Sequence, residues 1–392
     1  MSKRSIRLKE IQPNLKKSYS PSEEYFQSTT GLQRNEIYPI ETDSEGMQFS
    51  ILARQESKDI YLLGDSTVES IYMRPSMRPH VSLDYLLLKN GYNYSVFNLG
   101  YSGAHTLSII NVLINKLGDK KGSTLIITLP SNDLSALSFE GNYFNAHWRY
   151  SSIIPALDKK VIPVSNISYE PYIRNLKLIL NICDALEVKL FFTTIVYTGI
   201  DSSLKKLNDI IRSFCKLENV SLIDFEDFFV YKPELFYDKL HFLTEGSKIY
   251  SQRIFESIKY GLEKSKLDVI KNYNIVNDVF LGENIHWSTF FSVKNYSFMK
   301  VVIDTEFGLD ADTKQAILTV DYNGVAVNSK LARSLNTEIG YFSYINGQKN
   351  TRMEVLLHID IPLNCSKMRL GLRSWSSKNI QIHRSFVTLV KV

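Results

Sequence analysis

The chain is 392 residues long, 44% apolar and 22% charged, an ordinary balance for a globular protein with room for two domains. Its net charge of +5 is spread along the sequence, so no nucleic-acid partner is expected, and no stretch is long and apolar enough to span a bilayer. The three cysteines, Cys183, Cys215 and Cys365, are odd in number and far apart, which argues against a disulfide framework and for buried thiols.

Residues 1–45 read as a polar arm. Its basic residues (Lys3, Arg4, Arg7, Lys9, Lys16 and Lys17) form the densest positive stretch of the chain, expected as a solvated face. No apolar leader segment precedes it, and a cytoplasmic location is the expectation. From 46 to 262, short β-rich runs alternate with helical patterns, which predicts parallel strands joined by helical crossovers. Strands are expected at Ile60–Leu63, Ser95–Leu99, Thr124–Leu129, Lys189–Ile195 and Val220–Asp224. Helices are expected near Leu83–Lys89, Thr106–Lys116, Tyr172–Leu186, Ser203–Leu217 and Thr244–Leu262. Residues 263–392 change character: Phe298–Thr305, Ala316–Asp321, Val325–Val327, Arg352–Ile361, Met368–Trp375 and Ile380–Val390 read as strands, and Asn323-Gly324 is a hairpin-turn signal. An antiparallel sandwich or jelly roll is predicted there.

In an open parallel sheet, ligands bind beyond the carboxyl ends of the strands. Gly64-Asp65-Ser66 directly follows the first predicted strand, Leu99-Gly100-Tyr101-Ser102-Gly103 leaves the second, and Ser131-Asn132-Asp133 follows the third. Asp238 and His241 come after the fifth, just before the last helix. A serine hydroxyl becomes a useful nucleophile when a histidine removes its proton and a carboxylate fixes that imidazole. An aspartate three residues before a histidine can reach around one turn to its Nδ1, leaving Nε2 to face the serine. Taken singly, each residue also fits a structural duty. Ser66 suits a helix N-cap, Gly103 and Asn132 suit turns, Asp238 suits a cap, and His241 an ordinary half-buried histidine.

Together these segments resemble the SGNH, or GDSL-type, serine hydrolase family over roughly residues 58–262. The resemblance implies a flavodoxin-like three-layer α/β sandwich with a five-stranded parallel sheet. It makes Ser66 the nucleophile, His241 the base and Asp238 its orienting carboxylate. It also implies an oxyanion hole from the backbone N–H groups of Ser66 and Gly103 and the side-chain amide of Asn132. Two positions depart from the family pattern: Thr67 stands where leucine is common, and Pro130 where the third block usually has glycine.

The resemblance requires no cofactor, and the sequence has neither an HExxH helix nor a phosphate loop, so no metal is expected. It implies an ester or related acyl substrate. The expectation is an esterase removing O-acetyl groups from a carbohydrate, with an O-acetyltransferase of surface polysaccharide and a non-catalytic glycan-binding protein as alternatives. Residues 139–169 form a long aromatic connection of the kind that lines binding sites. Asp65, His105, Tyr143, His147 and Trp148 are the further candidates for contact with substrate, and Trp287 and Trp375 for a glycan platform on the C-terminal part.

Overall fold

The computed structural model describes residues 4–50, 52–54, 57–155, 160–264, 271–308, 315–322, 334–336, 340–362, 365–375 and 379–390. Its first large sheet runs in the order Ser221–Ile223, Lys189–Thr193, Thr124–Thr128, Lys58–Leu63, Tyr94–Asn98, Gln48–Phe49. The first five strands are mutually parallel, and the two-residue Gln48–Phe49 strand closes the edge antiparallel. Ile60 sits between Val96 and Thr124.

The strands are near-continuous apolar runs because both sheet faces are covered. Tyr61, Leu63, Leu125 and Ile127 point into one core, with residues of the helices Thr106–Lys116, Glu170–Ala185 and Ser202–Glu218. Ile60, Leu62, Val96 and Ile126 point into the other, against Pro79–Lys89 and Thr244–Ile258. The chain leaves Lys58–Leu63 to one side, then returns to its other side with Thr124–Thr128. The carboxyl end of Lys58–Leu63 therefore lies at the switch point, where an open α/β sheet has its crevice.

Most of the remaining strands form two further sheets that share one core. One is ordered Lys271–Leu281, Ile380–Val390, Phe298–Phe307, Thr351–Asp360, Glu36–Glu41, Lys16–Tyr19. The other contains His286–Trp287, Lys367–Ser374, Ala316–Asp321, Gly340–Ile345 and Ser334–Asn336, with Phe291–Ser292 also on Lys367–Ser374. Met299, Val301 and Ile303 of the first meet Leu318, Leu370 and Leu372 of the second. The expected turn Asn323-Gly324 and strand Val325–Val327 lie outside the described residues.

The lead-in differs most from the expectation of a solvated arm. Lys16–Tyr19 and Glu36–Glu41 pair antiparallel, and Glu36–Ile37 then joins Arg352–Met353 in parallel. Ile37, Tyr38 and Ile40 are buried. The basic character of this stretch masked them, because an edge strand carries exposed lysines on its open side. Ser5–Ile6 adds a short antiparallel pair with Ile153–Ile154.

Candidate active site

Ser66 is the first residue of the short helix Ser66–Glu69; the N-cap is Asp65, whose side chain accepts from the Thr67 N–H at 3.0 Å. Capping thus falls to the aspartate and leaves the Ser66 hydroxyl free. Gly100, in the next loop, packs directly on this helix: a Cβ there would lie 2.5 Å from the Glu69 nitrogen and 2.8 Å from the Val68 Cβ. Asn98 braces the same junction, donating to the Val68 carbonyl at 2.8 Å and accepting from the Gly100 N–H at 2.8 Å.

His241 reaches this helix from the far end of the domain. Asp238 sits in a tight loop closed by the Tyr237 N–H on the His241 carbonyl at 2.9 Å. Its Oδ1 accepts from the backbone N–H groups of Leu240 (2.8 Å) and His241 (2.9 Å), and its Oδ2 lies 2.7 Å from His241 Nδ1. His241 Nε2 is 2.7 Å from Ser66 Oγ. With Asp238 accepting at Nδ1, that nitrogen carries the hydrogen and Nε2 is the acceptor for the serine hydroxyl. Burial raises the Asp238 carboxyl, but its bond to His241, the attraction of that residue and the two backbone donors outweigh this and hold it below the usual carboxylate value. The Tyr237 ring stacks on the imidazole, centroids 5.3 Å apart and 9° from parallel.

Two residues unforeseen in the sequence complete the surroundings. Tyr25, on the lead-in helix Glu23–Gln27, donates its hydroxyl to Asp238 Oδ2 at 3.0 Å. Glu69, buried, accepts from the Ser102 N–H at 2.6 Å and from the Ser102 hydroxyl, which fixes the glycine loop to the serine helix. Nothing local marks either one; both contacts join segments far apart in sequence.

Neither the Ser66 nor the Gly103 N–H has a hydrogen-bond acceptor among the described residues. Gly103 has φ +78°, a conformation that suits glycine. Asn132 is the first residue of the helix Asn132–Leu137, and its Nδ2 donates to Asp65 Oδ2 at 3.2 Å. The same oxygen accepts from the Ser131 N–H and hydroxyl. A primary amide has two hydrogens, so Asp65 holds one and the other remains to be aimed. The proline at 130 leaves this contact intact.

The further substrate candidates divide. Asp65 is buried and orders the two loops, as just described. His105 is 1% exposed: it caps the helix Thr106–Lys116 through Ser108 and bonds Ser152 with Nε2, and burial together with the Lys9 charge drives its pKa down to about 3. Tyr143 is equally buried, its hydroxyl held by Asp133 and Thr106. Their positions deny both residues contact with a substrate. Asp133, which also accepts from the Thr106 N–H, is pushed by burial up to about 7. His80 is buried beside Asn98.

His147 and Trp148 lie at the surface. Phe139 and Tyr150 stack on His147 at 5.1 and 4.5 Å, and Trp148 follows at 6.1 Å with its rings 20° from parallel, ending the stack 73% exposed. Lys9 joins this segment to the glycine loop, its Nζ donating to the carbonyls of both Gly103 and Arg149. Burial and the charges of Arg7 and Arg149 lower the Lys9 ammonium to about 8. On the C-terminal part, Trp287 lies under the Arg369 guanidinium at 4.3 Å, and Trp375 stacks on Phe342 at 5.3 Å. Among the described residues no cluster of His, Cys, Asp and Glu could hold a metal ion, and no helix is long and apolar enough to cross a membrane.

No protein-family model and no curated protein matches this sequence. Similar solved structures include a GDSL-like lipase from Bacteroides thetaiotaomicron, with 14% identity and a TM-score of 0.39, matching 54% of this chain and 92% of that one. An acetyl xylan esterase shows 15% identity and a TM-score of 0.40 over 51% of this chain and 99% of its own. A lipase/acylhydrolase from Enterococcus faecalis shows 19% identity and a TM-score of 0.39 over 53% of this chain and 99% of its own.

Proposed function

We propose that this chain is a serine esterase of the SGNH type that removes O-acetyl or other short acyl groups from a carbohydrate through an acyl-serine intermediate. The observation that carries this reading is the relay from Asp238 Oδ2 through His241 to Ser66 Oγ, with both contacts at 2.7 Å, beside unpaired N–H groups. In this reading Ser66 Oγ attacks the ester carbon while its proton passes to His241 Nε2. The tetrahedral oxyanion accepts from the Ser66 and Gly103 N–H groups and the free hydrogen of the Asn132 amide. Collapse breaks the bond to the sugar oxygen, which takes the proton back from His241. Water then attacks the acyl-serine, again deprotonated by His241, and Ser66 regains its hydrogen as the acid leaves. Asp238 stabilises the transient imidazolium without taking its proton.

Support for a carbohydrate comes from Trp148, an exposed indole ending a stack tied through Lys9 to the Gly103 loop. An apolar ring face left open to water suits the apolar face of a sugar. The test is hydrolysis of p-nitrophenyl acetate and of an acetylated oligosaccharide. Ser66→Ala is expected to lower kcat by roughly 10⁴–10⁶-fold, and mass spectrometry of a quenched reaction should find the acyl group on Ser66. Wild-type protein inert on every ester, or activity surviving in Ser66→Ala, would sink the reading. Acylated sugar formed from an added acceptor, in place of free acid, would reassign the chain to acyl transfer.

A further inference from the structure

The α/β part and the C-terminal sheets meet on the outer face of the Phe298–Phe307 strand. Val302 packs there with Leu52, Val81 and Leu88, while Met299, Val301 and Ile303 face the opposite core. Part of this junction is an open cleft of about 410 Å³, walled by Leu52, Met77, Val81, Tyr85, Val302 and Phe386. That volume falls within the range of small-molecule sites, roughly 300–1,000 Å³. No carboxylate lines it and two lysines do, Lys300 and Lys248. None of Ser66, Gly103, Asn132, Asp238 or His241 contributes to its wall.

Lys300 is 7% exposed. Its Nζ contacts His358 Nδ1, and His358 Nε2 lies 3.0 Å from Asp360 Oδ1. Because Asp360 takes the Nε2 hydrogen, Nδ1 is the acceptor and Lys300 the donor. One of the three ammonium hydrogens is used this way. The other two have no acceptor among the described residues, where the carboxylates of Asp84 and Asp360 attract the charge only from beyond ion-pair distance. Three other cations have a carboxylate partner: the buried Arg54 pairs with Asp84 at 3.2 Å, and the half-buried Arg74 and Arg352 pair with Asp304 at 2.6 and 2.8 Å. Arg78, which lacks a carboxylate partner, donates instead to the Pro39 and Ser70 carbonyls and the Gln48 amide. A buried charge with donors left over is costly unless something completes it.

We propose that this cleft is a second binding site, for a fatty carboxylate. The alkyl chain lies along the apolar walls, and the carboxylate accepts the two spare hydrogens of Lys300. Asn272 and Thr388, which also line the cleft, supply neutral polar groups beside the head. The site is independent of the Ser66 chemistry.

Isothermal titration of the full chain with decanoate, decanol and decyltrimethylammonium tests it. Decanoate is expected to bind saturably, one per chain, at least tenfold tighter than either of the others. Lys300→Met should weaken decanoate at least tenfold and leave decanol unchanged. Ser82→Trp, on the cleft wall, should remove binding of all three, with thermal unfolding midpoints confirming that both variants are folded. Ser82→Trp alone decides the matter if Lys300→Met does not fold. No saturable decanoate binding, a cation that binds as tightly as the carboxylate, or affinity unmoved by the variants overturns the proposal. Decanoate displaced by covalent phosphonylation of Ser66 overturns it as well, because the ligand would then occupy the serine site. A chain without esterase activity that still shows the expected pattern would separate this proposal from the catalytic one.

Discussion

Asp238 has more asked of it than a carboxylate that merely points a histidine. Four donors converge on its two oxygens: two backbone N–H groups on Oδ1, and His241 Nδ1 with the Tyr25 hydroxyl on Oδ2. Replacing it with asparagine keeps the size but presents the wrong hydrogen to His241, so Asp238→Asn should lower kcat by about 10⁴-fold. Tyr25 acts at one remove. Burial and the negative charge of Asp238 raise its phenol, so it remains a donor throughout the working pH range. Tyr25→Phe removes one of the donors sharing Oδ2 and should lower kcat roughly 3- to 10-fold with KM unchanged, the worth of a hydrogen bond of about 1 kcal/mol. A rise in KM with kcat intact would instead place Tyr25 in substrate binding. In the proposed mechanism Asn132→Ala removes an oxyanion donor and should cost about 10²–10³-fold in kcat on p-nitrophenyl acetate.

The helix Thr106–Lys116 holds the glycine loop from behind, and its cap is a buried histidine. Unfolded, His105 takes a proton near its usual value of 6.5; folded, it resists protonation down to about 3. Between those limits the unfolded chain binds the extra proton, so falling pH favours unfolding by about 1.4 kcal/mol per unit for this residue. Asp133, raised to about 7 by burial, titrates in the opposite sense over part of the same range. His105→Asn keeps an oxygen to cap Ser108 and removes only the histidine's share. The stability of this variant relative to wild type, from urea titrations at pH 7.5, 5.5 and 4.5, should therefore rise as pH falls, with Asp133 common to both chains. A difference constant with pH would show that His105 is not what titrates. The blocks that carry Ser66, Gly103, Asn132 and His241 were legible in the sequence because each lies within a few residues of a strand end or helix start, where local chemistry sets the backbone. Lys16–Tyr19 and Glu36–Glu41 were not: they pair with each other, and what anchors them, Glu36–Ile37 on Arg352–Met353, lies across more than three hundred residues. Tyr25 and Lys9 were hidden for the same reason: one tyrosine or lysine among many carries no mark of a distant partner.

The lead-in also decides how the whole molecule holds together. By adding Glu36–Glu41 to the edge of Thr351–Asp360, it makes the N-terminal end of the chain part of the sheet formed by the C-terminal end. Beside its apolar contacts, the junction with the α/β part has a polar, largely buried patch. Arg74 bridges Glu36 and Asp304, and Glu354, 1% exposed, accepts from the Ser76 N–H and hydroxyl at 2.6 Å each. Such carboxylates need their partners, because removing one member strands the other without water. A fragment of residues 263–392 would lose Arg74, Ser76 and the Glu36–Glu41 strand together, leaving Asp304 and Glu354 short of partners and a long strand edge open to self-association. That fragment is expected to aggregate on expression, whereas the full chain should unfold in one transition. Urea curves followed by loss of ester hydrolysis and by near-ultraviolet circular dichroism should then coincide. Arg74→Met, which leaves two buried carboxylates with one partner fewer, should shift both curves together to lower urea, at a cost of about 3 kcal/mol. Activity lost well before the spectral signal, or a soluble and folded 263–392 fragment, would mean that the two parts are stable separately and that the N-terminal strands decorate an edge already complete.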